Sequence, residues 1–257
     1  DKIFDVTGIR ERRRAAKDEW PSDMGYRASV RAIERAGISV DNIVGIYMAS
    51  VSEKCNFPSG AAKIQRMLGI NGASSLDVIA ACAGFSEAIQ QARARNSTRP
   101  GNYLVVASES LSRILDYSDI NSTIFGDGAG AALLVPCEDG KGIIAEYSFC
   151  DPHDGNDKLI FRDDRGFLRM PDGQRVLKKA VRGMIESTEE IKKRAGWEHA
   201  DVYIPHQANA RIISEIEERV KKLSPQSVVY RNIHKYGNMS SATCAIALDE
   251  ATRDGTI

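Results

Sequence analysis

The chain has 257 residues, 42% apolar and 27% charged, a globular balance that excludes a disordered, collagen-like or coiled-coil protein. Its 35 basic residues equal its 35 acidic ones, whereas proteins that wrap nucleic acid usually carry a basic excess. The longest uncharged stretches, residues 236–248 and 42–52, fall short of the roughly 18 residues that a membrane helix needs. We therefore expect neither a nucleic-acid partner nor a membrane span.

The start of the chain and its cysteines indicate the compartment. Residues 1–5 contain no apolar signal segment, and the missing initiator Met suggests that part of a longer chain is absent. Five cysteines form no CxxC pair and are odd in number, so they predict neither a disulfide framework nor a zinc site. A cytoplasmic, reducing environment is favoured, and no metal or other cofactor is expected.

Strand-like apolar runs alternate with amphipathic helical patterns along most of the chain. The first predicted helix is capped by Ser22, runs to Ala36 and stops at Gly37. The predicted strands that follow are residues 43–49, 76–80, 103–107, 129–135, 202–204 and 228–230; the predicted helices are 59–68, 175–195, 209–223 and 243–252. Residues 151–173, rich in Asp and Gly, predict a long surface loop. The alternation predicts an α/β fold with covered sheets.

A weak internal repeat divides this pattern into two halves. An Ala-Gly pair ends a helix at Gly37 and again at Gly196, and each is followed by a strand, a helix, a second strand and a sharp turn into another helix. That turn carries Cys82 in the first half and Asn238 in the second. The repeat predicts a duplicated α/β unit, residues 1–137 and 138–257, with Cys82 and Asn238 at matching helix starts.

Cys82 follows a predicted buried strand and precedes an amphipathic helix. A helix start favours the thiolate and would lower the pKa of this thiol. A small buried hydrophobe is the commoner fate of a free cysteine, and from this segment alone it is the favoured interpretation.

His206 and Asn238 also stand where predicted strands end. His206 comes just after the strand 202–204, at the strand end that lines the ligand crevice of α/β folds, although it could equally be a loop residue. Asn238 could be only a helix cap. A Cys, a His and an Asn at such positions of one duplicated fold suit nucleophilic acyl chemistry. The glycine-rich stretch 126–130 lacks dinucleotide-binding spacing and predicts a tight hairpin near this site.

Six motifs occur in the order seen in the β-ketoacyl-acyl-carrier-protein synthase III family, which the chain resembles from about Thr7 to its end. They are TGIRERR (7–13), FPS (57–59), AACAGF (80–85), FGDGAGA (125–131), PHQAN (205–209) and YGN (236–238). The resemblance implies a thiolase fold, a five-layered αβαβα sandwich made of two related halves, which is usually a homodimer.

The resemblance also implies roles for individual residues. Cys82 would accept an acyl group from an acyl-CoA or acyl-carrier-protein donor, and His206 and Asn238 would assist decarboxylation of malonyl-carrier protein in the condensation that starts fatty-acid synthesis. Phe57, Asn209 and Arg211 would bind substrate, with Phe57 reaching across the dimer into the partner's acyl pocket. Acyl carrier protein would dock on four basic residues, whose plainer interpretation is a solvated helix face: Arg211, Arg219, Lys221 and Lys222.

Three departures from the family pattern concern the donor. Lys2, Val6 and Ile120 stand where the family commonly has the Trp and two Arg that hold coenzyme A. The sequence leaves two other interpretations open: a ketosynthase or acyltransferase of the same fold from secondary metabolism, and a non-catalytic partner subunit that keeps the carrier-docking face.

Overall fold

The computed structural model describes residues 2–138, 140–152, 155 and 157–257. Its helices are α1 (Lys2–Thr7), α2 (Pro21–Ala36), α3 (Gly60–Leu68), α4 (Gly84–Asn96), α5 (Gly173–Ala195), α6 (Ala210–Leu223), α7 (Ile233–Tyr236) and α8 (Ala242–Arg253). Its strands are β1 (Ile43–Ala49), β2 (Ser74–Val78), β3 (Asn102–Ser110), β4 (Asp127–Leu134), β5 (Phe161–Arg162), β6 (Leu168–Arg169), β7 (Val202–Tyr203) and β8 (Val228–Val229). In the part of the chain described, no helix is both long and apolar enough to cross a membrane.

The largest sheet has four strands in the order β2-β1-β3-β4. β1 runs parallel to β2 and β3, and β4 returns antiparallel to β3, with Tyr103 opposite Leu134 and Ser110 opposite Asp127. β1 and β3 are buried along almost their whole length, as their continuous apolar runs predict for strands covered on both faces. A second sheet pairs β7 and β8 in parallel.

Helices cover both sheets and define five layers. One outer layer, α2 and α3, packs on one face of the four-stranded sheet, and α4 and α8 pack on its other face. The far side of α8 meets Tyr230 and Ile204 beside the second sheet, whose outer face is covered by α5 and α6. The predicted αβαβα sandwich is confirmed. The boundary at residue 137 stays a prediction.

The helix ends agree with the sequence at the glycines and differ at one start. Gly37 and Gly196 end α2 and α5 with φ of 64° and 69°, the left-handed conformation that glycine adopts most easily. The predicted cap at Ser22 is wrong, because α2 already begins at Pro21. A proline fits a first helical position, where its missing N–H would have no partner.

The segment predicted as a long loop contains a short hairpin. β5 and β6 pair antiparallel, and Arg169 of β6 binds Asp163 at 2.7 Å and Asp116 at 2.8 Å. The pair with Asp116 attaches the hairpin to the loop after β3, whereas the pair with Asp163 lies within the hairpin. Residues 153, 154 and 156 of the predicted loop lie outside the described residues.

Candidate active site

The turn from Asn238 to Thr243 is the centre of the site, and its backbone is pinned to the segment before β4. The Asn238 N–H donates to the Ile124 carbonyl, and the Gly126 N–H donates to the Asn238 carbonyl, both at 2.9 Å. The Asn238 side-chain Oδ1 accepts from the Ser240 N–H at 2.8 Å. Among the described residues, no acceptor lies at hydrogen-bond distance from its Nδ2, so this donor is available for a ligand.

The glycine motif 126–130 makes this close approach possible. A Cβ on Gly126 would lie 2.4 Å from the Tyr236 carbonyl oxygen, and one on Gly128 would lie 2.6 Å from Met239 Sδ. A Cβ on Gly130 would lie 2.7 Å from that of Ala245 in α8. Alternate residues of a strand share one face, so the three glycines clear space for the Asn238 turn and α8. The predicted hairpin is wrong, because these residues lead into and form the start of β4; the predicted place beside the site is right.

Cys82 lies in a 3₁₀ turn, Ala81–Ala83, directly before α4. Ala81 has φ of 45°, an unfavourable conformation for a residue with a Cβ. The Ser240 side chain acts on the Cys82 thiol and favours its thiolate form, which places the thiol beside the Asn238 turn. A Cβ on Gly84 would lie 2.9 Å from that of Ala49 and 3.1 Å from that of Ser241, so glycine lets the two helix starts pack together.

Burial dominates the electrostatics of the thiol. It raises the pKa of Cys82 to about 11, against the Ser240 hydroxyl and the Cys82 N–H, which favour the thiolate. The negative charge of Glu109 also favours the neutral thiol. The lowering predicted from the helix start is therefore wrong for this arrangement, because desolvation outweighs the favourable dipoles.

Glu109 is a fully buried carboxylate beneath this site, at the end of β3. It accepts hydrogen bonds from the hydroxyl of Ser52 at 2.5 Å, the N–H of Val51 at 3.1 Å and the hydroxyl of Ser241 at 2.9 Å. Burial nevertheless raises the pKa of Glu109 to about 7. This side chain ties the loop after β1 to the start of α8.

His206 is fixed at one ring nitrogen and open at the other. Its Nδ1 lies 2.5 Å from Oγ1 of Thr243, a completely buried residue in the first turn of α8. Its Nε2 is buried and has no hydrogen-bond partner within the described ranges. Buried polar atoms are rarely left unpaired, so this nitrogen marks a place for a ligand atom.

Gln207 fastens the His206 loop to the segment that leads to Asn238. Its side-chain Nε2 donates to the carbonyls of Pro205 at 2.8 Å and Tyr230 at 3.1 Å. Its Oε1 accepts from the N–H groups of Asn232 at 2.9 Å and Ile233 at 3.2 Å. The amide is completely buried and uses both of its polar atoms. The two loops are therefore held at a fixed separation.

The counterpart of Cys82 in the second half is Ser241, not Asn238. Ser240 has φ of 47°, like Ala81, and α8 begins two residues later. Asn238 lies four residues before α8, so the predicted equivalence of Cys82 and Asn238 is wrong. Asn238 reaches the site through a separate turn held by its own Oδ1.

The remaining predicted site residues lie apart from this turn. Phe57 is 91% exposed in the loop after β1. Asn209 caps α6 and accepts from the Arg211 N–H at 2.9 Å. Of the four predicted docking residues on α6, Lys222 pairs with Glu218 at 2.7 Å, and Lys221 donates to the Pro225 carbonyl. The other two, Arg211 and Arg219, are exposed cations. The substrate and docking roles of these residues stay predictions.

Sequence reasoning missed three residues that build the site: Glu109, Gln207 and Thr243. Glu109 gives a local signal, as an acidic residue that ends an otherwise apolar strand pattern, and Gln207 lies inside the PHQAN motif. The importance of Thr243 depends on which loop faces the first turn of α8, and that follows from the fold alone.

A cysteine at a helix start, an unpaired histidine nitrogen and a free asparagine amide around one turn of an αβαβα sandwich define a thiolase-fold condensing enzyme, a kind of acyltransferase. Two family models match the chain: 3-oxoacyl-[acyl-carrier-protein] synthase III over residues 76–152, and its C-terminal domain over residues 192–257.

Individual relatives agree with these matches. The chain is 39% identical to a β-ketoacyl-[acyl-carrier-protein] synthase III of Caldanaerobacter subterraneus subsp. tengcongensis, over 98% of the chain and 80% of that protein. The 3-oxoacyl-[acyl-carrier-protein] synthase III structure from Aquifex aeolicus is similar with a TM-score of 0.92, at 36% identity, covering 100% of this chain and 82% of the other. A priming β-ketosynthase of the R1128 polyketide pathway is similar at 33% identity and a TM-score of 0.82, covering 98% of this chain and 78% of the other. The chain belongs to the 3-oxoacyl-[acyl-carrier-protein] synthase III family.

Proposed function

We propose that this chain, acting in the cytoplasm, condenses an acyl thioester with malonyl-carrier protein, with loss of carbon dioxide, to start an acyl chain. The observation that carries the proposal is one turn, residues 238–243, that contacts a nucleophilic thiol and holds two unused polar groups. Cys82 meets this turn at Ser240, His206 meets it at Thr243, and Asn238 begins it.

Cys82 performs the first half-reaction. Its sulfur attacks the thioester carbonyl, the donor thiol leaves, and an acyl-Cys82 thioester forms. The Cys82 N–H and the Ser240 hydroxyl favour the thiolate, whereas burial and Glu109 oppose it. The rate of acylation should therefore rise with pH in the alkaline range, since the thiolate is the nucleophile.

His206 and Asn238 serve the second half-reaction. When malonyl thioester loses carbon dioxide, negative charge develops on its thioester oxygen as the enolate forms. His206 Nε2 and Asn238 Nδ2 lack partners among the described residues and can donate to that oxygen, a stabilisation typically worth about 3 kcal/mol per donor. The enolate carbon then attacks the acyl-Cys82 carbonyl, which releases the 3-oxoacyl product and the Cys82 thiolate.

Mass spectrometry of the intact protein tests the proposal. After incubation with a pool of acyl thioesters, we expect one acyl mass on wild type, located at Cys82 by peptide mapping. Addition of malonyl-carrier protein should then remove this mass and yield 3-oxoacyl-carrier protein. An unmodified Cys82 under all donors would support the non-catalytic subunit instead.

The donor is proposed to be carrier-bound, or a coenzyme A thioester held mainly by its acyl and pantetheine parts. Val6 and Ile120 are 49% and 72% exposed, and neither offers the charge that a nucleotide phosphate would need. Loss of one charge-assisted hydrogen bond weakens binding about tenfold or more. The test compares kcat/KM for one acyl group on coenzyme A, on pantetheine and on carrier protein. A large advantage of coenzyme A over pantetheine would contradict the donor proposal.

The active protein is proposed to be a homodimer joined through the β2 edge of the large sheet. Leu76 and Ile79 on or beside this edge strand are 50% and 71% exposed, and Phe57 nearby in sequence is 91% exposed. Light scattering should find a dimer in wild type and monomer in Ile79→Glu. The same charge at exposed Ile120 is the control and should leave the dimer intact.

A priming role in secondary metabolism is the second candidate, favoured by the likeness to the R1128 ketosynthase. The two roles share one mechanism, and the acyl group retained on Cys82 from the mixed pool separates them. A short primer used with the fatty-acid carrier protein supports the first role, and selective use of a polyketide carrier supports the second.

A further inference from the structure

The Thr243 hydroxyl contacts the His206 ring at Nδ1. The hydroxyl oxygen lies between two possible partners, His206 Nδ1 at 2.5 Å and the Ser240 carbonyl at 3.0 Å. A threonine hydroxyl has one proton, so it can donate to only one of them in full. The choice decides which ring nitrogen of His206 carries hydrogen.

The Ser240 carbonyl does not depend on this hydroxyl. It also accepts from the Thr243 backbone N–H at 3.3 Å, so it keeps a partner when the hydroxyl turns away. Among the described residues, the Thr243 oxygen is the one hydrogen-bond partner of His206 Nδ1, and that contact is the shorter of the two. An O–H donor makes shorter hydrogen bonds than an N–H donor, so the short contact favours the hydroxyl as donor and His206 Nδ1 as acceptor.

We propose that Thr243 donates its hydroxyl proton to His206 Nδ1 and thereby holds the neutral ring with its hydrogen on Nε2, making Thr243 a positioning residue for decarboxylation. The nitrogen so equipped is the buried, unpartnered Nε2. In the opposite tautomer, Nε2 would be a bare lone pair and would repel the negative oxygen of a forming enolate. The catalytic purpose of this N–H rests on the proposed function, whereas its presence does not.

Two variants separate the hydroxyl from the packing of Thr243. Thr243→Val replaces the hydroxyl by a methyl of similar shape, and Thr243→Ser keeps the hydroxyl. We expect Thr243→Val to slow malonyl decarboxylation roughly 10- to 100-fold, as loss of a partner that orients a functional histidine typically does. Acylation of Cys82 should change less than about threefold, and Thr243→Ser should restore most of the decarboxylation rate.

Thr252→Val is the matched control. Thr252 lies on the same helix, and its hydroxyl donates to the Leu248 carbonyl at 2.7 Å, within α8 and away from the site. This variant removes one helical threonine hydroxyl without touching His206. Both half-reactions should proceed at wild-type rates.

Nitrogen NMR of histidine-labelled wild type reads the tautomer directly, with the His206 signals assigned by their loss in His206→Asn. We expect a hydrogen-free Nδ1 and a protonated Nε2 near neutral pH, and a mixture of tautomers in Thr243→Val. A hydrogen on Nδ1 in wild type, whether in the other tautomer or in a cationic ring, would overturn the inference. So would full decarboxylation by Thr243→Val, or equal damage in Thr243→Ser.

The readouts distinguish this inference from the proposed function. If wild type fails to form acyl-Cys82 or to decarboxylate malonyl thioester, the proposed function is wrong, whatever the tautomer. If wild type is active but its His206 carries hydrogen on Nδ1, the role of Thr243 is wrong, and in a neutral ring so is donation by Nε2, whereas the proposed condensation itself stands. The wild-type spectrum also decides the question should Thr243→Val fail to fold.

Discussion

The starts of α4 and α8 use the same backbone device for different chemistry. Gly196, Val202, Ser240 and Ser241 each lie 159 residues after Gly37, Ile43, Ala81 and Cys82, so the repeat aligns with no net offset between these points. Ala81 and Ser240 both take a left-handed conformation just before the helix. The next residue is a thiol in one half and a hydroxyl in the other.

The two helix starts differ in exposure and in hydrogen bonding. Cys82 keeps part of its residue surface exposed, although its sulfur is buried deeply enough for desolvation to raise its pKa. Ser241 is 1% exposed, and its hydroxyl lies 2.9 Å from Glu109 and 3.3 Å from the Ala49 carbonyl, so the shorter contact to Glu109 is its main hydrogen bond. In the proposed mechanism, one helix start offers a nucleophile to the substrate, and the other supports it from below. The second half would contribute through side chains on its loops, His206 and Asn238.

The largest effect should come from exchanging the nucleophile alone. Cys82→Ser should lower the rate of acyl-enzyme formation on the order of a thousandfold or more, because a neutral hydroxyl is a far poorer nucleophile than a thiolate. Ser241→Ala, the equivalent position, should keep acylation within about tenfold, since it removes only a supporting hydrogen bond. Mass spectrometry of acylation time courses measures both. Equal losses in the two variants would mean that the helix starts do not differ as described.

The buried carboxylates of the two halves should respond to pH with opposite sign. Burial raises the pKa of Glu109 to about 7 from its ordinary value of 4.5, so between these values the folded chain holds a proton that the unfolded chain has lost. Its contribution to the free energy of unfolding is therefore fully present below pH 4.5 and lost as pH rises through 7. The shift corresponds to about 3 kcal/mol.

Urea unfolding at pH 5 and pH 8 isolates this contribution. Wild type should lose stability over this interval, and Glu109→Gln should lose about 3 kcal/mol less. Glu250→Gln is the control. Burial acts to raise the pKa of Glu250, but hydrogen bonds from Tyr236 and Asn232 and the charge of Lys235 bring it below the ordinary value. The contribution of Glu250 to the free energy of unfolding is lost only below pH 5. Glu250→Gln should therefore lose as much stability between pH 5 and pH 8 as wild type does. An equal loss of stability in Glu109→Gln and wild type between pH 5 and pH 8 would contradict the raised pKa of Glu109.

The division of labour between the halves predicts a split between the two half-reactions. His206→Ala and Asn238→Ala should each slow malonyl decarboxylation roughly 100-fold, since each removes one donor to the developing enolate. Acylation of Cys82 should be spared in both, because the nucleophile and its Ser240 contact remain. Radiolabelled carbon dioxide release and acyl-enzyme formation are measured on the same preparations. A parallel fall in the two rates would show that the halves do not divide the reaction in this way.

Most of the fold could be predicted from the sequence, because its helices and strands are defined by local patterns. A continuous apolar run predicts a buried strand such as β1, and a residue suited to positive φ, such as Gly37, predicts a helix end. The start of α2 was misplaced because Ser22 is a good cap by composition, whereas the neighbouring Pro21 decides the geometry.

The site was predicted less completely, because its supporting contacts join distant segments. Cys82, His206 and Asn238 could be named from motifs, but the pKa of Cys82 could not, since its burial depends on both helix starts packing through Gly84. The prediction that Cys82 and Asn238 occupy equivalent positions is wrong for a similar reason. A residue in the left-handed conformation cannot be recognised from the sequence when it is not glycine, as at Ser240. The alignment of Cys82 with Ser241 could therefore not be predicted.

The smallest effect should be equal in the two halves. Gly37 and Gly196 end α2 and α5 with φ of 64° and 69°, and a Cβ at either position would meet no heavy atom of the described residues within 4 Å. Any cost of Gly37→Ala or Gly196→Ala therefore comes from the left-handed backbone alone, about 1 kcal/mol in each case.

Gly173→Ala is the control: this glycine is the first residue of α5, has no positive φ, and its Cβ would make ordinary contact with Met170 at 3.7 Å. It should leave the free energy of unfolding unchanged or slightly raised. Denaturation midpoints decide the matter, and a clearly unequal cost at the two glycines would show that the repeated helix ends are not equivalent.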